Sequence, residues 1–191
     1  MTHECLLVPR SWKSADCAAA MHDFLLHPPP RTAAIRDLMA ELLSPNPYCC
    51  RCAAGLARRV SAREPGILSR HAGDLIDLAA RVPDDEWQTR GYVLLAAAWN
   101  AQSHARRMRL LSLARTLLKD QRIGVRAIAL EVFAILALAE PKLRREATLL
   151  LETAHLDPAC AVRLRAKRIL PQLLKVEINT RRELPNPPNR T

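Results

Sequence analysis

Arginine and lysine dominate the second half of this 191-residue chain, in clusters whose spacing suits the binding of anions. Arg106, Arg107 and Arg109 come first, Arg115, Lys119 and Arg122 follow, then Arg144 and Arg145, and last Arg163, Arg165, Lys167 and Arg168. A guanidinium is planar and always charged, and its donors form a fork that fits a carboxylate or a phosphate with two parallel hydrogen bonds. On a helix Arg165 and Arg168, three positions apart, share a face and can reach one partner. The residues singled out for partner binding are Arg122, Arg144, Arg145, Arg165, Lys167 and Arg168. Aromatic residues that would stack on bases do not interleave with them: Trp87, Tyr92 and Trp99 precede the clusters, and Phe133 is expected in the core. That spacing disfavours single-strand binding more than grip on a duplex backbone.

A second set is more regular. Asp84, Asp120 and Asp157 are each followed six positions later by an arginine, Arg90, Arg126 and Arg163. A carboxylate at a helix start can accept from free backbone N–H groups, and an arginine one to two turns in can pair with a neighbouring aspartate. Regularity of this kind points to a structural ladder of Asp84, Arg90, Asp120, Arg126, Asp157 and Arg163 rather than to a ligand site.

Other chemistries find little support. Cys49, Cys50 and Cys52 invite zinc, but a structural zinc site needs four ligands, usually as two spaced pairs, and His155 and Cys160 are far off in sequence. All six cysteines are expected as reduced thiols acting as small apolar residues. The histidines show no metalloprotease spacing, five glycines form no phosphate loop, and no nucleophile elbow occurs. Asp84, Asp85 and Glu86 form an acidic run of the kind a helix N-terminus favours. No catalytic residue, cofactor or metal is therefore assigned, and the expectation is a non-enzymatic protein.

Charge is distributed unevenly. Residues 1–95 carry 11 basic and 11 acidic side chains, whereas residues 96–191 carry 18 and 8, which accounts for the whole formal charge of +10. Such asymmetry points to an acidic or polyanionic partner for the second half. No run approaches the ~18 apolar residues of a membrane span, and the N-terminus lacks a basic segment followed by an apolar one. A cytoplasmic protein with no membrane contact is expected.

The elements that must position these residues are helices. With 49% hydrophobic but only 4% aromatic residues, and 5 glycines against 14 prolines, the composition opposes a β sandwich or barrel. Aligning the arginines Arg51, Arg90, Arg126 and Arg163 gives separations of 39, 36 and 37, with a small or β-branched residue three positions after each. Asn46 and Pro47 read as an N-cap and first turn. Ser61 with Glu64 reads as a capping box opening the next helix, Ser103 caps another, and Asp120 and Asp157 precede two more. The chain thus parses into four helix-turn-helix pairs.

The block Leu117-Leu118-Lys119-Asp120, continuing to Val125-Arg126, resembles the HEAT-repeat family and the similar repeats of phycobilin-lyase-like proteins. The match is good again at 157–163 and weaker in the first two pairs, where Cys50 and Thr89 replace the valine. The resemblance implies an all-α superhelix of about four HEAT-like pairs over residues 31–175, the second helices lining a concave face, with 1–30 as an N-terminal capping segment and 176–191 as a flexible tail. Such repeats mostly bind proteins and sometimes nucleic acid, because stacked pairs share one core and leave a long open surface. The resemblance also admits alkylpurine DNA glycosylases, HEAT-like enzymes with Trp, Asp and Arg in the groove; Trp87, Asp84 and Arg90 have those types but match no motif of that family. The function expected is a scaffold that binds an acidic protein through its basic half. The alternatives are a binder of nucleic-acid phosphates and, last, a glycosylase-like enzyme.

Overall fold

The computed structural model describes residues 31–183, with side chains from Thr32 to Lys175; the segment 1–30 and residues 184–191 lie outside the described residues. The described residues are all-helical, with eight α-helices, three short 3₁₀ turns and no strand. The chain divides into two compact units, Met1–Arg107 and Met108–Thr191.

In the first unit α1 (Arg31–Leu42) and α2 (Pro47–Arg63) form one pair, α3 (Ala72–Arg81) and α4 (Trp87–Asn100) another, and the second helices α2 and α4 pack on each other. As expected, α2 starts where Asn46 Oδ1 accepts from Tyr48 N at 3.0 Å and Pro47 occupies the first turn, the position where a missing N–H costs nothing. Helix α4 is buried nearly all round, from Val93 to Ala98, which is the signature of a central helix.

The proposed capping box at Ser61 does not form. Helix α2 runs through it to Arg63, with Glu64 at its C-cap, and the next α-helix begins only at Ala72. Ser61 is fully buried instead, and its hydroxyl accepts from Asn100 Nδ2 at 2.8 Å. Asn100 also donates to Ala96 O at 2.7 Å and accepts from Leu68 N at 2.7 Å. One buried amide thereby fastens the 64–71 connection to α2 and α4. Gly66, at φ +90°, lets that connection turn back so that its N–H reaches Trp99 O at 3.2 Å.

The division between the units falls inside α5 (His104–Leu117), whose first turn is met by Ser103, the hydroxyl accepting from Arg106 N at 3.3 Å. In the second unit α6 (Ile123–Ala139) packs against both α7 (Arg144–Ala154) and α8 (Cys160–Glu183), and α7 packs against α8. Helix α6 is apolar on almost every side, burying Val125, Ala127–Leu130 and Val132–Ala137. Helix α8 presents Val162, Ala166, Ile169 and Leu173 to this core. It extends beyond residue 175, with a helical backbone to Glu183 in the stretch read from sequence as a tail. Among the described residues no helix is long and apolar enough to cross a membrane.

Candidate functional site

Two of the regularly spaced arginines share one geometry, and a third varies it. Arg126 Nη1 donates to Asp120 O (3.1 Å) and Gln121 O (2.9 Å), and Arg163 Nη1 to Asp157 O (2.8 Å) and Pro158 O (2.7 Å). Arg90 reaches Val82 O and the carboxylate of Asp84. Each side chain folds back over the first turn of its helix and satisfies loop carbonyls that the helix cannot. Arg107 repeats the arrangement in α5 on Ala101 O (3.3 Å) and Gln102 O (2.6 Å).

Cross-pair contacts also occur, with partly different residues. Arg126 Nη2 lies 3.5 Å from Asp157 Oδ1. The equivalent Arg51, on α2, instead donates from Nη2 to both oxygens of Glu86 at 2.8 Å. Asp120 and Asp157 make Asx turns just ahead of their helices, accepting from Arg122 N and Ala159 N, each at 2.8 Å. Asp120 also holds Arg122 by Nε (3.0 Å) and Nη2 (2.7 Å). Those bonds from Arg122, the side-chain ones foremost, lower its pKa from 3.8 to about 2.

The six residues assigned to a partner fall into two groups. Arg122 is engaged by Asp120, and Arg144 by the last carbonyls of α6, Ala137 O at 3.4 Å and Leu138 O at 3.5 Å. Arg165 forms an ion pair with Glu131 of α6, and Arg168 Nη2 approaches the other carboxylate oxygen at 3.3 Å. Arg165 and Glu131 are largely buried, while Arg168 remains 60% exposed. Arg145 and Lys167 are exposed. Thus Arg165 and Arg168 do converge, as their spacing suggests, but on an internal carboxylate. In the sequence Glu131 merely interrupts the apolar stretch 127–139; its meaning depends on arginines 34 and 37 residues further on.

Outward on α8, Leu164, Lys167, Arg168, Pro171, Leu174 and Lys175 all lie opposite the buried Val162, Ala166, Ile169 and Leu173. Two of these are uncovered leucines, Leu164 at 62% and Leu174 at 39% exposure, and Leu149 and Leu156 elsewhere in the unit stand at 64% and 85%. The result is a surface of cations interleaved with apolar side chains.

The first unit holds a feature that sequence reasoning missed. A cleft of about 400 Å³ lies between the α1–α2 turn and the α3–α4 turn, walled by Leu42, Leu43, Pro45, Pro47, Leu78, Val82 and Pro83. Cys50, Arg81, Glu86, Thr89 and Ser44 supply its polar atoms. The Cys50 thiol donates to Leu42 O at 3.1 Å, and burial first, then the charge of Glu86, raises its pKa. It is a neutral thiol, not the thiolate that nucleophilic or metal chemistry requires. The Glu86 carboxyl is held below the usual range chiefly by its hydrogen bond from Arg51, and it accepts a further bond from Thr89 Oγ1 at 3.1 Å.

Among the described residues no group of three or more His, Cys, Asp or Glu is placed to hold a metal ion. The expectation of reduced thiols holds for Cys49, Cys50 and Cys160 but not for Cys52, which is disulfide-bonded. No family model, curated protein or solved structure matches the chain.

Proposed function

We propose that the protein is a non-enzymatic, HEAT-like helical-repeat module that binds an acidic protein segment through its basic second unit. The observation that carries this reading is the outward surface of that unit, where Lys167, Arg168 and Lys175 alternate on α8 with Leu164 and Leu174. The unit as a whole has 16 basic residues against 8 acidic ones. Uncovered leucines among cations favour a partner that brings both carboxylates and apolar side chains, as a peptide does, over a bare phosphate backbone. The repeat reading draws support from the second helices, which pack on each other within both units, and from the recurring arginine staple.

Arg145, Lys167 and Arg168 are the residues this reading places at the partner; Arg122, Arg144 and Arg165 serve mainly to hold the unit together. The test is fluorescence anisotropy with a labelled acidic, leucine-containing peptide and with labelled duplex DNA, across a salt series. Saturable peptide binding, weakened about tenfold or more by combined Arg145→Glu and Lys167→Glu with no change in melting temperature, is the expected result. Tighter, sequence-indifferent binding of duplex DNA with a steep salt slope would transfer the surface to nucleic acid.

A further inference from the structure

We propose that the apolar cleft of the first unit binds a small amphiphilic monocarboxylate, of the class of straight-chain fatty acids with about six to ten carbons. Its volume, about 400 Å³, falls within the range of small-molecule sites. Its walls are aliphatic: Leu42 and Leu78 behind, prolines at the turns, and Leu43 at the rim, 59% exposed. An acyl chain lying against these groups would remove apolar surface on both sides from water.

The polar groups decide the charge of the ligand. Cys50 spends its only donor on Leu42 O, and Thr89 donates to Glu86. The charge of Glu86 is offset by Arg51, which meets both carboxylate oxygens at 2.8 Å. Arg81 is different: its Nε donates to Asp77 O at 3.2 Å, and among the described residues no carboxylate pairs with its guanidinium. The unbalanced charge on the cleft is therefore a single positive one, on a fork that fits a carboxylate. A dianion such as a phosphate monoester would bring a second negative charge toward Glu86 with no second cation to meet it, and an amine would meet a carboxylate already paired. This site is independent of the basic surface on the other unit.

Isothermal titration of the full chain with hexanoate, octanoate and decanoate, each below its micellar concentration, tests the assignment, with 1-octanol and octylamine as comparators. One-site binding is expected, tightening about fourfold for each added methylene, with octanoate preferred over both comparators by about tenfold or more. Arg81→Gln, an exposed side chain, should erase that preference while leaving helicity and melting temperature unchanged; Arg81→Lys should retain part of it. Decanoate should also slow alkylation of Cys50 in a Cys160→Ser background. Absence of saturable binding, tighter binding of octylamine, or Arg81→Gln binding octanoate like the parent chain would each overturn the proposal.

Discussion

The two units are both built of packed helices and dispose of their charge in opposite ways. Met1–Arg107 has 13 basic and 11 acidic residues, close to balance, whereas Met108–Thr191 has 16 and 8. In the first unit the cross-pair contact, Arg51 to Glu86, neutralises a carboxylate that lines the cleft. In the second, Glu131 is partly buried, 18% exposed on a largely apolar α6, and takes two arginines from α8. A carboxylate that lines a cleft shapes what can bind there, while one that bridges two helices fixes their register. The outward cations of the second unit are then Arg145, Lys167 and Lys175, together with Arg168, which reaches Glu131 at 3.3 Å while staying 60% exposed.

The sharpest way to separate the units is through their cores. Leu136→Ala in α6, at a side chain with no exposure, is expected to lower unfolding free energy by about 2–5 kcal/mol in urea denaturation. Leu94→Ala in α4, 1% exposed, should cost a similar amount. Calorimetry of both variants would show whether one transition moves or two.

Next in size is Asn100→Ala, which leaves the Leu68 N–H and the Ser61 hydroxyl without their partner. A total loss of about 1–3 kcal/mol is expected, read as a lowered melting temperature. A loss under about 0.5 kcal/mol would mean that the 64–71 connection is not held by this amide.

The carboxylates provide the direct comparison. Glu131→Gln removes a charge whose side chain is 18% exposed and should cost about 1–2 kcal/mol, between the limits for exposed and buried pairs. Glu86→Gln, at a side chain 25% exposed whose one arginine partner, Arg51, is 45% exposed, should cost less, about 0.5 kcal/mol. Equal losses in chemical denaturation would remove the distinction drawn between the two carboxylates.

The smallest effect is one of pH. The folded-state pKa of Asp120 is lowered from 3.8 to about 2, so its contribution is fully present above about 4 and is lost as pH falls toward 2. Asp120→Asn should flatten the fall of melting temperature with acid across that window and leave the slope above pH 5 unchanged.

How much of this was legible in the sequence follows from the range of each interaction. The starts of α2 and α5 rest on a side chain meeting a backbone N–H two or three residues away, at Asn46 and Ser103, and a local pattern reveals them. Ser61 carries the same local pattern and misleads, because the hydroxyl is taken by Asn100, 39 residues on, and α2 gains more from continuing its buried stripe through Val60 than from stopping. The spaced arginines were readable as structural, but their acceptors are chiefly loop carbonyls, which leave no mark in the sequence. The cleft was not legible at all. Two turns some 40 residues apart make its walls, and prolines and leucines at turns announce nothing until they are brought together.

Glu131 also sets an order of events on the ribosome. Helix α6 emerges with Arg126 and Glu131 as its only charged residues, and Arg165 follows Glu131 by 34 positions. At elongation rates of ~5–20 residues per second, that interval lasts about 2–7 s. For those seconds a nearly all-apolar helix stays in the nascent chain without the strand of sequence that will cover it, and its single acid keeps its water. The side of α6 that α8 covers therefore stays open to water until α8 arrives with its arginines, after α7 has already been made.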